Sequence, residues 1–164
     1  MGVDLTWADA AAIIHRREAC QKSGPECGHE PNCHDDIEPF SPEVEFPYRQ
    51  FVDVSETMIR LGMGYEAEAR SFKSFSEDEL RGASWDERDV AWRSQRVPGK
   101  KGIALFKLRT NDWWLVTVPE IDEALAAYAA VPEHERTELE TGQKWAAWIE
   151  WLRQSREHGG FEVE

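Results

Sequence analysis

One segment, residues 20–34, holds all three cysteines of the chain and two of its five histidines. The surrounding residues 23–42 carry four prolines and two glycines, which interrupt both helices and strands. A loop of this length is unusual in a compact domain unless something orders it. The sequence therefore predicts a Cys/His/Pro-rich loop over residues 23–42 that is held in place by a bound ligand.

Thiolate and imidazole side chains are the ligands that Zn²⁺ prefers, and four of them close a tetrahedral shell. The spacing predicts a structural zinc site formed by Cys20, Cys27, Cys33 and His29. His34 is a substitute ligand, ranked second because adjacent side chains such as Cys33 and His34 rarely point the same way. The spacing is irregular and contains no Cys-x-x-Cys knuckle, so the alternative is a loop with reduced thiols and solvated histidines.

The same histidines do not form a catalytic zinc motif. His29 and His34 are five residues apart, whereas the metalloprotease helix requires a spacing of four, and Pro31 obstructs that helix. The chain also has no Pro-Cys-x-x-Cys deaminase element, no P-loop and no Gly-x-Ser-x-Gly elbow. The predicted zinc site is therefore structural.

The net charge of −13, from 32 acidic and 19 basic residues, opposes direct nucleic-acid binding, because neutralising phosphates requires a surplus of Lys and Arg. No apolar run approaches the length of a membrane span, and the N-terminus lacks the basic and apolar stretches of a secretory signal. An odd number of cysteines suits a reducing compartment. We therefore expect a cytoplasmic protein that binds neither membrane nor nucleic acid.

The charges are unevenly distributed. Residues 93–109 contain six basic residues and no acidic one, whereas residues 120–140 contain seven carboxylates against Arg136. The two segments are predicted to face each other, or the basic segment to form a patch that binds an anion or an acidic partner. The candidates for that patch surround a Pro-Gly turn and are Arg93, Arg96, Lys100 and Lys101.

Apolar periodicity and capping residues predict a mainly helical α+β fold in a single domain, residues 1–164. The predicted helices cover about residues 4–22, 47–62, 120–130 and 137–156, with further starts at Ser76 and Ser84. Gly102–Arg109 and Trp113–Val118 are rich in β-branched and aromatic residues and flank turn residues, which predicts an antiparallel hairpin. Because two strands are marginal in water, residues 65–75 are expected to add a third.

The eight tryptophans supply further candidates. Trp145 and Trp148 share the apolar face of the last predicted helix and indicate core, whereas Trp151 lies toward the edge of that face. We therefore predict an exposed Trp151 that binds a partner, because tryptophan is enriched at binding hot spots. Trp113 and Trp114 would point to opposite faces of a strand, which leaves one of them to face solvent or a covering helix.

Together these features predict a non-enzymatic intracellular protein-binding domain with a structural zinc site. The first alternative is an acidic inhibitor that imitates nucleic acid and presents carboxylates to the basic groove of a nucleic-acid-processing enzyme. The charge of −13 favours this alternative, and the basic segment 93–109 opposes it. The second alternative is a small metal-dependent enzyme, which needs an open coordination position beside a cleft.

Overall fold

The computed structural model describes residues 2–9, 11, 44–80, 82–110 and 112–163. Its strands are β1 Gly2–Trp7, β2 Val44–Pro47, β3 Gly64–Tyr65, β4 Ile103–Ala104, β5 Trp114–Thr117 and β6 Gly160–Val163. The described residues from 44 onward contain the helices α1 Tyr48–Arg60, α2 Phe72–Glu79, α3 Trp85–Arg93, α4 Phe106–Arg109, α5 Val118–Ala129, α6 Glu133–Glu140 and α7 Gln143–Ser155. The mainly helical α+β class is therefore confirmed.

The loop 23–42 and all predicted zinc ligands lie outside the described residues, so the zinc site stays a prediction.

Four antiparallel strands form the larger sheet, in the order β2-β1-β6-β5. Strand β1 pairs with β6 so that Trp7 lies opposite Phe161, and β6 pairs with β5 so that Val116 also lies opposite Phe161. All four residues of β6 are buried. Because side chains alternate along a strand, Phe161 and Val163 face the main core while Glu162 points to the other side of the sheet.

Strands β3 and β4 form a separate parallel pair with Gly64 opposite Ile103. The turn into β4 requires glycine at position 102. Its φ is +86°, and a Cβ there would lie 2.3 Å from the carbonyl oxygen of Met63. The Ile103 N–H donates to that same carbonyl at 3.0 Å, so the backbone of Gly102 passes directly against Met63.

The predicted hairpin is wrong. Residues 106–109 form helix α4, in which Phe106, Lys107 and Leu108 are all buried, and three consecutive buried side chains do not fit the alternation of a half-exposed strand. Strands β4 and β5 consequently belong to different sheets. Residues 65–75 contribute only Tyr65 to a strand, and its partner is β4.

Other element predictions succeeded where a local signal dominated. Helices α1 and α5 lie where predicted, and Ser84 caps the N-terminus of α3 as its sequence indicated. The predicted helix over residues 4–22 is wrong at residues 4–7, because β1 buries Leu5 and Trp7 in alternation with more exposed neighbours. The start at Ser76 is also wrong, since Ser71 caps α2. Gly142 divides the last predicted helix into α6 and α7.

The main core lies between the larger sheet and helices α1, α5 and α7. Trp148 is fully buried and meets Phe161 edge-on, with ring centroids 6.0 Å apart. The predicted exposure of Trp151 is wrong. This residue is only 3% exposed, because Trp7 of β1 stacks on it and Phe161 of β6 meets its edge. A side chain so enclosed offers no surface to a partner.

Candidate functional site

Helix α3 lies on the surface and has well-defined ends. The Ser84 hydroxyl accepts a hydrogen bond from the Glu87 N–H at 3.3 Å, and the Glu87 carboxylate accepts one from the Ser84 N–H at 2.8 Å. This reciprocal capping box lowers the pKa of Glu87, because the backbone N–H and the hydroxyl of Ser84 both stabilise the charged carboxylate. No residue of α3 is fully buried, and Trp85, Asp86, Glu87 and Val90 are exposed.

A pocket of about 510 Å³ lies between α3 and the residues that lead into β5. We call it the α3 groove. It has an apolar part and a charged part, and its lining residues are Asp86, Asp89, Val90, Trp92, Arg93, Asp112, Trp113 and Glu162. The groove thus combines a helix face, a turn and the outward-facing side of strand β6.

The floor of the α3 groove is an ion-paired network centred on Arg93. Its Nη1 donates to Glu162 Oε1 at 2.6 Å, and its Nε donates to Asp89 Oδ2 at 2.9 Å. Both Arg93 and Glu162 are largely removed from solvent. Because a buried carboxylate is costly without a partner, Arg93 and Glu162 hold each other in place and join α3 to the sheet.

The walls of the groove include apolar side chains that are open to solvent. Val90 is 48% exposed and Trp113 is 43% exposed. Trp85, on the same helix but not in the lining, is 69% exposed. Trp92 joins these walls to the interior by packing on the buried Trp114, and its Nε1 also donates to the Arg70 carbonyl at 2.8 Å. The groove therefore presents large apolar side chains on a fixed support.

Packed aromatic rings connect the exposed end of α3 with the interior. Trp85 contacts Phe72 at 5.0 Å between centroids, and Phe72 contacts Trp92 at 5.8 Å. Trp92 in turn lies 4.7 Å from Trp114, which meets Phe106 at 4.9 Å. Two of these contacts are tilted and two are edge-on, and the edge-on arrangement is a favourable aromatic geometry. The partly exposed rings are therefore held by their aromatic neighbours.

Trp113 has a backbone conformation that disfavours its own side chain. Its φ is 60°, in the left-handed region, where a bulky residue is a genuine outlier. Such a conformation costs on the order of 1–3 kcal/mol and is typical of functional positions. Of the adjacent pair identified in the sequence, Trp114 is buried and Trp113 is the solvent-facing member.

The predicted basic patch is divided in the structure. Arg93 lies in the floor of the groove, and Arg96 pairs with Glu123, whose carboxylate also accepts the Gly102 N–H at 2.8 Å. Lys100 and Lys101 are exposed around the turn. The Arg96–Glu123 pair bears out the expectation that segment 93–109 faces segment 120–140. Anion binding by the four predicted residues stays a prediction.

A second set of ionic interactions is buried within the fold. Lys107 Nζ donates to both carboxylate oxygens of Glu120 at 2.9 Å and to the Leu115 carbonyl at 2.9 Å. Burial lowers the pKa of Lys107, since loss of water disfavours the ammonium more than Glu120 favours it. Lys107 and Glu120 are fully buried, so no substrate can reach them in this conformation. Sequence reasoning missed this pair, although Glu120 stands three residues after Thr117 in a capping-box arrangement.

No protein-family model matches the chain, and no match was found among curated proteins or solved structures. Across the described ranges, no helix has the length and apolar character needed to traverse a bilayer. The same residues contain no group of three or more His, Cys, Asp or Glu side chains arranged to hold a metal ion.

Proposed function

We propose that the protein is a non-enzymatic, cytoplasmic protein-binding domain whose partner docks in the α3 groove. One observation carries the proposal: large apolar side chains are exposed together around a single pocket. In the described part of the chain, five large hydrophobic residues are exposed, and two of them, Val90 and Trp113, line the groove. A third, Trp85, belongs to the same helix and packs on Phe72. The other two, Val52 and Ile59, belong to α1 and are less exposed.

The chemistry of these side chains fits protein recognition. Tryptophan is enriched among the few residues that dominate binding energy, because it buries a large rigid surface at a low entropic cost. The groove is also organised before binding: Ser84 and Glu87 cap α3, and Arg93 ties the helix to β6. A surface that is already ordered loses less conformational entropy on association.

The zinc site belongs to the proposal as a structural element. Cys20, Cys27, Cys33 and His29, with His34 as substitute, would order the loop 23–42 through a closed tetrahedral shell. Support for this site comes from residue type and spacing in the sequence.

The two alternatives, an acidic inhibitor that imitates nucleic acid and a small metal-dependent enzyme, have less support. Mimicry of nucleic acid requires a continuous negative face, but many carboxylates between residues 120 and 140 bind groups within the chain. Those with partners are Glu120, Asp122, Glu123, Glu135 and Glu140. A small metal-dependent enzyme would require an open coordination position beside a cleft, and the predicted metal ligands lie outside the described residues.

The test compares two double variants, each of which removes two exposed apolar side chains. Val90→Ala with Trp113→Ala alters the groove, and Val52→Ala with Ile59→Ala alters α1 as the control. A protein captured by the native chain is purified, and its affinity for each variant is measured by isothermal titration calorimetry. We expect the groove variant to bind at least about tenfold more weakly and the control to bind like the native chain. Equal affinity of the native chain and a folded groove variant would refute the proposal.

A further inference from the structure

We infer that the α3 groove receives a basic side chain, arginine or lysine, from the protein partner. This inference rests on the proposed function and specifies the chemistry of the partner. Four carboxylates line the groove, those of Asp86, Asp89, Asp112 and Glu162, against the single guanidinium of Arg93. The lining therefore carries a negative charge that complements a cation and repels an anionic ligand.

The internal cation and the outer carboxylates occupy different parts of the groove. Arg93 is committed to the floor, where Glu162 and Asp89 accept its hydrogen bonds. Asp86 and Asp112 are exposed, one on the first turn of α3 and the other beside Trp113. Their carboxylates are consequently available to a cation that enters from solvent.

The aromatic wall favours an organic cation that belongs to a side chain. An ammonium or guanidinium over the face of a tryptophan is attracted by the negative face of the ring, and the attraction is stronger when the cation is removed from water. Val90 and Trp113 can also cover the methylene groups of a lysine or arginine stem, which pack well on apolar surface. Arginine suits this lining especially, since its planar guanidinium stacks on aromatic rings and binds carboxylates through two hydrogen bonds.

The probes are two short synthetic peptides with blocked ends: Gly-Arg-Leu-Arg-Gly, and the same peptide with both arginines replaced by citrulline. Citrulline preserves the planar shape and some of the N–H donors, but a carbonyl oxygen replaces one NH2 group of arginine, which removes the charge. Each is titrated into ¹⁵N-labelled full-length protein while the indole N–H resonances are followed, with Trp113→Phe identifying the resonance of Trp113. We expect the arginine peptide to shift that resonance saturably, and the citrulline peptide to bind about tenfold more weakly or not at all.

Charge-neutral variants locate the binding. Asp86→Asn with Asp112→Asn should lower the affinity for the arginine peptide by about tenfold. The control, Glu68→Gln with Glu157→Gln, removes two exposed carboxylates outside the groove and should change this affinity little. Equal losses in the two double variants would mean that only the overall negative charge matters, and would overturn the inference. Added salt should lower the affinity for the arginine peptide more than that for the citrulline peptide, because salt screens interactions between exposed charges.

The remaining outcomes separate this inference from the proposed function. If both peptides bind equally and Trp113→Ala abolishes binding, the groove docks protein segments but does not select a cation, so only the inference fails. If neither peptide binds, the inference also fails, while the proposed function is still decided by the purified partner. If the protein dimerises in sedimentation and Lys100→Glu with Lys101→Glu abolishes dimerisation, the occupant is a second copy and the inferred separate partner is wrong.

Discussion

Lys107 and Glu120 form a completely enclosed ion pair, with Nζ at 2.9 Å from each carboxylate oxygen. The pair joins helix α4 to the first turn of α5, and the Leu115 carbonyl of β5 accepts a third hydrogen bond from the same ammonium. Glu120 Oε2 also accepts the Thr117 N–H at 3.0 Å. A pair of charges at this depth is costly to bury, so each partner depends on the other.

Lys107→Met should therefore lower the free energy of unfolding by about 3–5 kcal/mol, because it leaves Glu120 buried without its counter-charge. Adding Glu120→Gln removes that charge and keeps an oxygen that can accept the Thr117 N–H. The double variant should lose less stability than the sum of the two single variants. Urea denaturation of the native chain and all three variants measures this coupling, and additive losses would contradict it.

The capping box of α3 makes a prediction about pH. Its hydrogen bonds lower the pKa of Glu87 from the ordinary value of 4.5, so the unfolded chain takes up a proton at this position before the folded chain does. The stabilisation is fully present above pH 4.5 and is lost as the pH falls through the folded-state pKa. In urea denaturation, the stability difference between the native chain and Glu87→Gln should stay constant at neutral pH and shrink in acid. A difference that grows in acid would contradict this assignment.

Trp113 permits a test of backbone strain. Glycine adopts a φ of 60° without the Cβ penalty, whereas alanine retains it, so Trp113→Gly should be more stable than Trp113→Ala by about 1 kcal/mol. Both variants lack the indole and should lose partner binding equally. Thermal denaturation ranks their stabilities. An alanine variant as stable as the glycine variant would mean that the turn relaxes once tryptophan is removed.

Local signals made several elements predictable from sequence. Ser84 and Glu87 stand at the capping spacing, and Pro119 suits the first turn of α5, so both helices follow from neighbouring residues. Strand β6 was missed because the double glycine at 159 and 160 indicated only the end of a helix, and its four residues form a strand through pairing with β1 and β5.

The groove was less predictable because its residues come from separate segments. Asp86, Asp112 and Glu162 approach one another only when α3 packs beside β5 and β6. Arg93 illustrates the difficulty: the basic composition of its segment suggested anion binding, whereas the fold supplies Glu162 from a distant strand. Trp151 shows a different error. Its position on the helix predicted exposure at the edge of the apolar face, whereas Trp7 of β1 and Phe161 of β6 cover that edge.

The predicted zinc site is tested by metal content and by ligand variants. If Cys20, Cys27, Cys33 and His29 close one tetrahedral shell, protein prepared without added metal should contain about one equivalent of zinc by elemental analysis. Cys27→Ser should release the metal. His29→Ala should lower zinc affinity more than His34→Ala if His29 is the fourth ligand, and the reverse order would identify His34.

Chelation should expose the thiols and loosen the loop 23–42 while part of the helical core persists, because a domain of this length buries enough surface without the loop. Protein that carries no zinc and has three freely titratable thiols would rule out the site.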